Sequence, residues 1–151
     1  MEVFRVSKKI YQQDIVGTGA YLAGGRWNTA GNYMLYTAAS RSLAILEVLI
    51  HISRSKPVDD YSVIALYIPD ELFIGVVDQE GLTLTWRNQY NQTQSMGDLW
   101  LSSQKSVALK VPSAIVKAEY NFLINPNHPA FQSVKLLDYE PLQFDDRFFA
   151  R

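Results

Sequence analysis

Cysteine is absent from this 151-residue sequence, which excludes disulfides and thiolate metal sites and fits a reducing compartment. Histidine is scarce: His51 and His128 are the only two, and the carboxylates show no cluster with ligand spacing, so no metal site is expected. Net charge is also nearly missing, since 14 Lys plus Arg stand against 15 Asp plus Glu and the basic residues are scattered singly. Without a concentrated positive patch there is no counterion-release drive toward a phosphate backbone, which argues against a nuclease or repressor and against direct nucleic-acid binding. Long hydrophobic runs are lacking too. The longest apolar stretch, Leu43 to Ile52, is interrupted by Glu47 and His51 and falls short of the roughly 20 residues a membrane span needs. The opening MEVFRVSKKIYQQD turns polar before a signal-peptide core forms. The expectation is a soluble, cytoplasmic protein without a membrane partner.

What is present suffices for one core. Apolar residues make up 48% of the chain and charged residues 19%, outside the range of disordered sequences. No repeat, low-complexity tract or linker divides residues 1–151, so a single domain is expected. Glu2 to Val6 alternates like a short strand at the edge of the core, and Tyr33 to Ala38 reads as a second strand. Ser40 then caps a helix running to about Ser53. Ser62 to Ile68 and Phe73 to Val77 have the apolar density of buried central strands. Asn88 to Gly97 reads as a polar loop and Asp98 to Gln104 as a short helix. Val107 to Val111, Ala114 to Val116, Tyr120 to Ile124 and Val134 to Tyr139 are further strand candidates. Strands that cluster after residue 60 rather than alternate with helices point to an α+β domain.

Three places carry residues suited to chemistry. Gly17 to Gly31 holds five of the eight glycines and has neither periodicity. Within it, Gly24-Gly25-Arg26-Trp27-Asn28 joins paired glycines, which admit close backbone approach, to a guanidinium shaped for phosphate or carboxylate oxygens. It is either an anion clamp or a surface turn with a solvated arginine, and its spacing is neither GxGxxG nor a P-loop. Glu47 shares a helical face with Ser40, Leu43, Ala44, His51 and Arg54. It is either a surface partner of His51 one turn on or the centre of a polar stripe lining a cleft. Ser113 follows Pro112 between two β-rich runs, with Asn121, Asn125 and His128 beyond, and either points into a pocket or closes a turn. Neither histidine lies near it in sequence, and no GxSxG elbow is present.

These segments share order and spacing over more than 120 residues with a known family. Phe4-Arg5, Gly17-Thr18-Gly19-Ala20, GGRWN at 24 to 28, Tyr36-Thr37-Ala38, Ala44 with Glu47, Gly97-Asp98-Leu99-Trp100, and PSAIV followed by NFLINPNHP resemble the RES domains. That family is named for an arginine, a glutamate and a serine, matched here by Arg26, Glu47 and Ser113, and is typical of toxins in toxin–antitoxin pairs. The resemblance implies an ADP-ribosyltransferase-like fold: a split, twisted β core with surrounding helices and an NAD cleft between two sheets. It implies NAD as consumed substrate, without a further cofactor, cleaved at the nicotinamide–ribose bond by hydrolysis or phosphorolysis. By the same resemblance, Arg26 grips the pyrophosphate, Asn28 adds a hydrogen bond and Tyr36 walls the nicotinamide. Glu47 steadies positive charge on the ribose, and Ser113 orients the ribose or nicotinamide end. It further implies a cognate Xre-like helix-turn-helix antitoxin that covers the cleft. Two other readings stand beside this one: an ADP-ribosyltransferase that modifies a cellular protein, and a catalytically inactive binding module.

Overall fold

The computed structural model describes residues 1–149. Its centre is one seven-stranded sheet. The strands are β1 (Glu2–Lys8), β2 (Leu35–Ala38), β3 (Tyr61–Tyr67), β4 (Ile74–Val76), β5 (Ala108–Pro112), β6 (Tyr120–Ile124) and β7 (Lys135–Leu142). Across the sheet they run β4-β5-β6-β2-β1-β3-β7, antiparallel at every junction except the parallel β4–β5 pair. Three α-helices complete the described residues: α1 (Thr18–Ala23), α2 (Arg41–Leu49) and α3 (Tyr90–Ser103). The architecture is α+β.

The junction in the middle of the sheet positions everything else. β1 and β3 are in register over their full length, from Glu2↔Tyr67 to Lys8↔Tyr61, whereas β1 meets β2 only at Phe4↔Ala38. The two strands splay beyond that pair, so the sheet is continuous in hydrogen bonding yet divided into two halves. This is the form the expected split core takes: the opening lies between strands of one sheet.

Alternation along the strands sorts the core by face. On one face Val3, Leu35, Ile64, Leu66, Phe122 and Ile124 belong to a single cluster. The other face carries two clusters. Trp27, Met34, Trp86 and Trp100 pack there with Leu109, Val111 and Leu123. Separately, Leu43 and Ala44 of α2 pack on Phe4, Ala38, Val63 and Ala65. Between the α2 cluster and the tryptophan cluster the sheet surface is uncovered, and that gap lies beside the splayed junction.

Several boundaries differ from the sequence reading, each for a physical reason. β1 is central, not an edge strand: it is paired on both sides, with Val3 wholly buried and Phe4 nearly so. Its polar alternation arises because Arg5 is itself taken in, its Nη1 donating to the carbonyl of Asp14. Conversely Ile74–Val76 is a three-residue edge strand with Val76 mostly exposed, not a buried central one. The glycine-rich segment contains the short helix α1. Ala114 to Val116 is a turn, closed by a left-handed Ala118. α2 ends at Leu49, four residues before the expected Ser53.

The largest difference is α3, which begins at Tyr90 within what reads as a polar loop. Asn, Thr and Ser are indifferent helix formers, and a mid-helix Gly costs about 1 kcal/mol relative to Ala. The helix forms because Thr93, Gly97 and Trp100 fall on one face and are buried there. Gly97 is required by that packing: a Cβ at this position would lie 1.7 Å from the Trp27 carbonyl oxygen.

Candidate active site

The gap on the sheet is a cleft with two connected parts. A cavity of about 420 Å³ is lined by Gly25, Arg26, Tyr36, Glu47, Tyr90 and Asn121, among others. A smaller one of about 210 Å³ continues to the splayed junction, where Arg5 lines it. Tyr36, Glu47, His51 and Asn121 line both, so they stand where the two parts meet. The larger volume is within the range of small-molecule sites, about 300–1,000 Å³.

Arg26 forms one wall. Its Nη1 donates to the carbonyls of Arg87 at 2.8 Å and Trp86 at 3.3 Å. The guanidinium also lies 4.6 Å from the centre of the Tyr90 ring. Carbonyls and an aromatic face orient a cation without neutralising it, and no carboxylate pairs with Arg26 among the described residues. The loop beneath it is fixed from α3. Thr93 Oγ1 donates to the Arg26 carbonyl at 2.5 Å, and Gln94 Nε2 to the Gly25 carbonyl at 2.9 Å. Asp98 accepts from the backbone N–H and hydroxyl of Thr29 and from Asn32 Nδ2.

Tyr36 anchors the same loop from below. Its hydroxyl accepts from Trp27 N at 2.9 Å and donates to Asn28 Oδ1 at 2.7 Å. Burial raises its pKa far above the ordinary tyrosine value, so it stays a neutral hydroxyl. Gly25 must lack a side chain here, because a Cβ would come within 2.6 Å of that hydroxyl. The ring is left to line the cleft.

Glu47 forms the opposite wall. Ser40 caps α2, its hydroxyl accepting from Leu43 N at 3.1 Å. The helix lays Leu43 and Ala44 on the sheet, and Glu47 follows one turn later on that inward side. Two donors converge on a single carboxylate oxygen: Asn121 Nδ2 at 2.6 Å and Ser113 Oγ at 3.2 Å from Oε1. The Ser113 oxygen already accepts from the N–H groups of Ile115 and Val116, which leaves its hydrogen for Glu47. Oε2 has no hydrogen bond within the described residues.

Arg26 and Glu47 therefore face one cavity, with Tyr36 between them. Two other residues singled out from the sequence do not offer it a free polar atom. Asn28 is fully buried, and its amide is spent on the carbonyls of Ala20, Thr29 and Asn32 and on Tyr36. Ser113 is 1% exposed and sits behind Glu47. His51 lines the cleft but makes no ion pair with Glu47 among the described residues.

The RES domain family matches residues 2–145. The chain belongs to that family. Proteins similar to it include "Toxin Res" of Yersinia enterocolitica, 36% identical over 147 residues, with 95% of each chain covered. Another is "Prs ADP-ribosylating toxin" of Sphingobium sp., 35% identical over 143 residues, covering 91% of this chain and 88% of that protein. Among solved structures, the M. tuberculosis MbcT–MbcA toxin–antitoxin complex contains a chain with the same fold at a TM-score of 0.76. That match has 16% sequence identity and covers 93% of this RES domain and 83% of that chain.

One cleft residue of this RES domain has no role assigned from the sequence. Asn121 is noted there only as following Ser113 and within the NFLINPNHP match; the pairings Ala38↔Asn121 and Val111↔Asn121 bring it to the cleft floor. The available signal was strand alternation, which puts Asn121 and Leu123 on the same face of β6. Among the described residues no three His, Cys, Asp or Glu side chains gather as a metal site requires.

Proposed function

We propose that this RES toxin destroys NAD by breaking the bond between nicotinamide and ribose. The observation that carries the reading is the pairing of Arg26 and Glu47 across one cavity, with Glu47 Oε2 unengaged. The guanidinium's remaining N–H groups suit a diphosphate bidentately, since the contacts holding Nη1 leave its charge intact. The glycosidic bond breaks with its electron pair passing to the pyridinium nitrogen, and the ribose carbon takes on oxocarbenium character. A carboxylate fixed beside that carbon lowers the barrier because its orientation is set before positive charge develops. Tyr36 supplies an aromatic wall for the ring before it leaves. Asn28 acts by pinning Tyr36 and the arginine loop, and Ser113 acts through Glu47.

Water or phosphate then captures the ribose carbon. A second reading, transfer of ADP-ribose to a cellular protein, is favoured by one observation: a relative at 35% identity is named as an ADP-ribosylating toxin. Both outcomes share the bond-breaking step. The fold shared with a chain of a toxin–antitoxin complex supports an antitoxin as partner; we assign it an Xre-like helix-turn-helix domain and a segment that covers the cleft. NAD as target puts the site of action in the cytoplasm. No helix of the described residues is long and apolar enough to cross a membrane.

The test is mass spectrometry of products from labelled NAD incubated with the purified chain, with and without phosphate. Free nicotinamide with ADP-ribose marks hydrolysis, its phosphate ester marks phosphorolysis, and label retained on protein marks transfer. NAD left intact under all conditions would sink the proposal. In cells, expression without the antitoxin should stop growth and deplete NAD, and Arg26→Ala or Glu47→Ala should relieve both.

A further inference from the structure

We infer that Asn121 is a positioning residue for Glu47, a role that rests on the proposed NAD-cleaving reading. The inference starts from a group that gains nothing for the fold. Asn121 Oδ1 is buried and has no hydrogen-bond partner among the described residues. Leaving a buried acceptor unpaired is unfavourable, and native proteins keep few of them. The same side chain makes a short contact through its other end, Nδ2 to Glu47 Oε1 at 2.6 Å.

The two ends are linked. An ionised carboxylate only accepts, so the amide must present its N–H to Oε1. Flipping the amide would set Oδ1 against Oε1, acceptor to acceptor. Asn121 is therefore held in the one orientation that serves Glu47, at the cost of an unsatisfied oxygen.

Its backbone cannot drift. Asn121 lies in β6 between β2 and β5, paired with Ala38 on one side and Val111 on the other. Ser113 follows directly on the end of β5, the strand next to β6, so both donors to Oε1 are set by adjacent strands of the sheet. A carboxylate gripped through one oxygen from a rigid floor loses rotation about its last torsion and keeps Oε2 aimed away from that grip. Asn121 lines both parts of the cleft, as Glu47 does, so the grip is applied where they meet. The task of Asn121 is to hold Glu47 in place; contact with the reacting atoms is left to Oε2.

Steady-state kinetics with NAD and thermal unfolding, measured on wild type, Asn121→Ala, Asn121→Asp, Glu47→Gln and the double variant Asn121→Ala/Glu47→Gln, test this. Asn121→Ala should lower kcat about 10- to 100-fold with KM little changed, the effect of losing one hydrogen bond to a charged group. Its thermal midpoint should equal or exceed that of wild type, because the orphaned oxygen goes with the side chain. Asn121→Asp keeps the shape, replaces the donor by a second carboxylate and should lower kcat further, so the test stands even if the alanine variant folds poorly. In the Glu47→Gln background, Asn121→Ala should add less than about twofold, since two residues acting as one unit do not add. Wild-type kcat in Asn121→Ala, a raised KM at unchanged kcat, or full additivity in the double variant would overturn the inference. If Glu47→Gln is inactive while both Asn121 variants turn over normally, only this inference falls. If wild type leaves NAD intact, or Glu47→Gln is fully active, the underlying reading falls and takes this inference with it.

Discussion

The two walls of the cleft are built by opposite means. The Glu47 wall is a regular helix with a serine cap, laid on the sheet through Leu43 and Ala44, and its carboxylate is held by two donors, Asn121 on β6 and Ser113 just past β5. The Arg26 wall is irregular chain between α1 and β2. It holds its shape because Thr93, Gln94 and Asp98 on α3, and Tyr36 on β2, bond to the loop's backbone or buried amide. On the first wall, the proposed function rests on one side chain, set apart from the apolar contacts that hold the helix. On the second, the proposed function and the fold share the same contacts, so damage to one is expected to damage both.

Substitutions separate the two cases. The largest expected effect is on activity and belongs to the helical wall. Glu47→Gln should lower NAD turnover about 10²- to 10³-fold, the magnitude of losing one preorganised electrostatic contact, with the thermal midpoint near that of wild type. A large fall in stability together with activity would show the helical wall to be as integral as the other. Next comes Gly97→Ala on the loop wall. An added methyl would meet the Trp27 carbonyl at 1.7 Å, and because the obstacle is backbone, either α3 or the arginine loop must move. A destabilisation of about 2–3 kcal/mol is expected, read by denaturant unfolding, with loss of activity accompanying it. Asp98→Ala should cost less, about 1–2 kcal/mol, since Asp98 is half-buried and its partners Thr29 and Asn32 can turn to water. It should weaken NAD binding through Arg26 more than it slows turnover. A kcat loss at constant KM in Asp98→Ala would contradict the assignment of that wall to binding.

How legible each wall is in the sequence follows from the same difference. α2 is announced locally: Ser40 before an apolar-periodic run, with Glu47 on the same face as Leu43 and Ala44. Even there, sequence alone cannot choose between a surface pair with His51 and a cleft, because the choice depends on β6, more than 70 residues later. The arginine loop is legible only as unusual, through its glycines. Its clamps come from Thr93, Gln94 and Asp98, which lie 66 to 69 residues away in the chain, the first two within a segment whose polarity reads as loop and the third at the start of a short expected helix. Helix propensity there is overridden by the burial of Thr93, Gly97 and Trp100, and nothing in a local window reports that burial. β1 misleads for a related reason: Arg5 makes a central strand look half-solvated, although its charge is turned inward. The residue types that line the cleft are thus legible, whereas the finding that Asn28 and Ser113 offer it no free polar atom depends on hydrogen bonds that only the fold discloses.

The smallest expected effect concerns the start of the loop wall and is a matter of pH. Asp14 accepts hydrogen bonds from the N–H groups of Val16, Gly17 and Thr18 and so fixes the entry into α1. Burial alone would raise its pKa. The bonds from Val16 and Thr18 and the charge of Arg5 outweigh burial, and the carboxyl is held below its usual value. A carboxylate depressed in the folded state contributes stability above its unfolded pKa, about 3.9, and loses it as pH falls through the folded value. Asp14→Asn keeps an oxygen to accept the backbone bonds but removes the charge. The variant should therefore be less stable than wild type at neutral pH by a few tenths of a kcal/mol, since partial exposure screens the charge. The two unfolding curves should begin to converge below about pH 4 and meet once the pH has fallen below the depressed folded value, where native wild-type Asp14 takes up its proton. A gap that stays constant from pH 7 to pH 3 would mean that the shape of the side chain, rather than its charge, ties Asp14 to the loop, and would bring this end of the arginine wall closer in kind to the helical one.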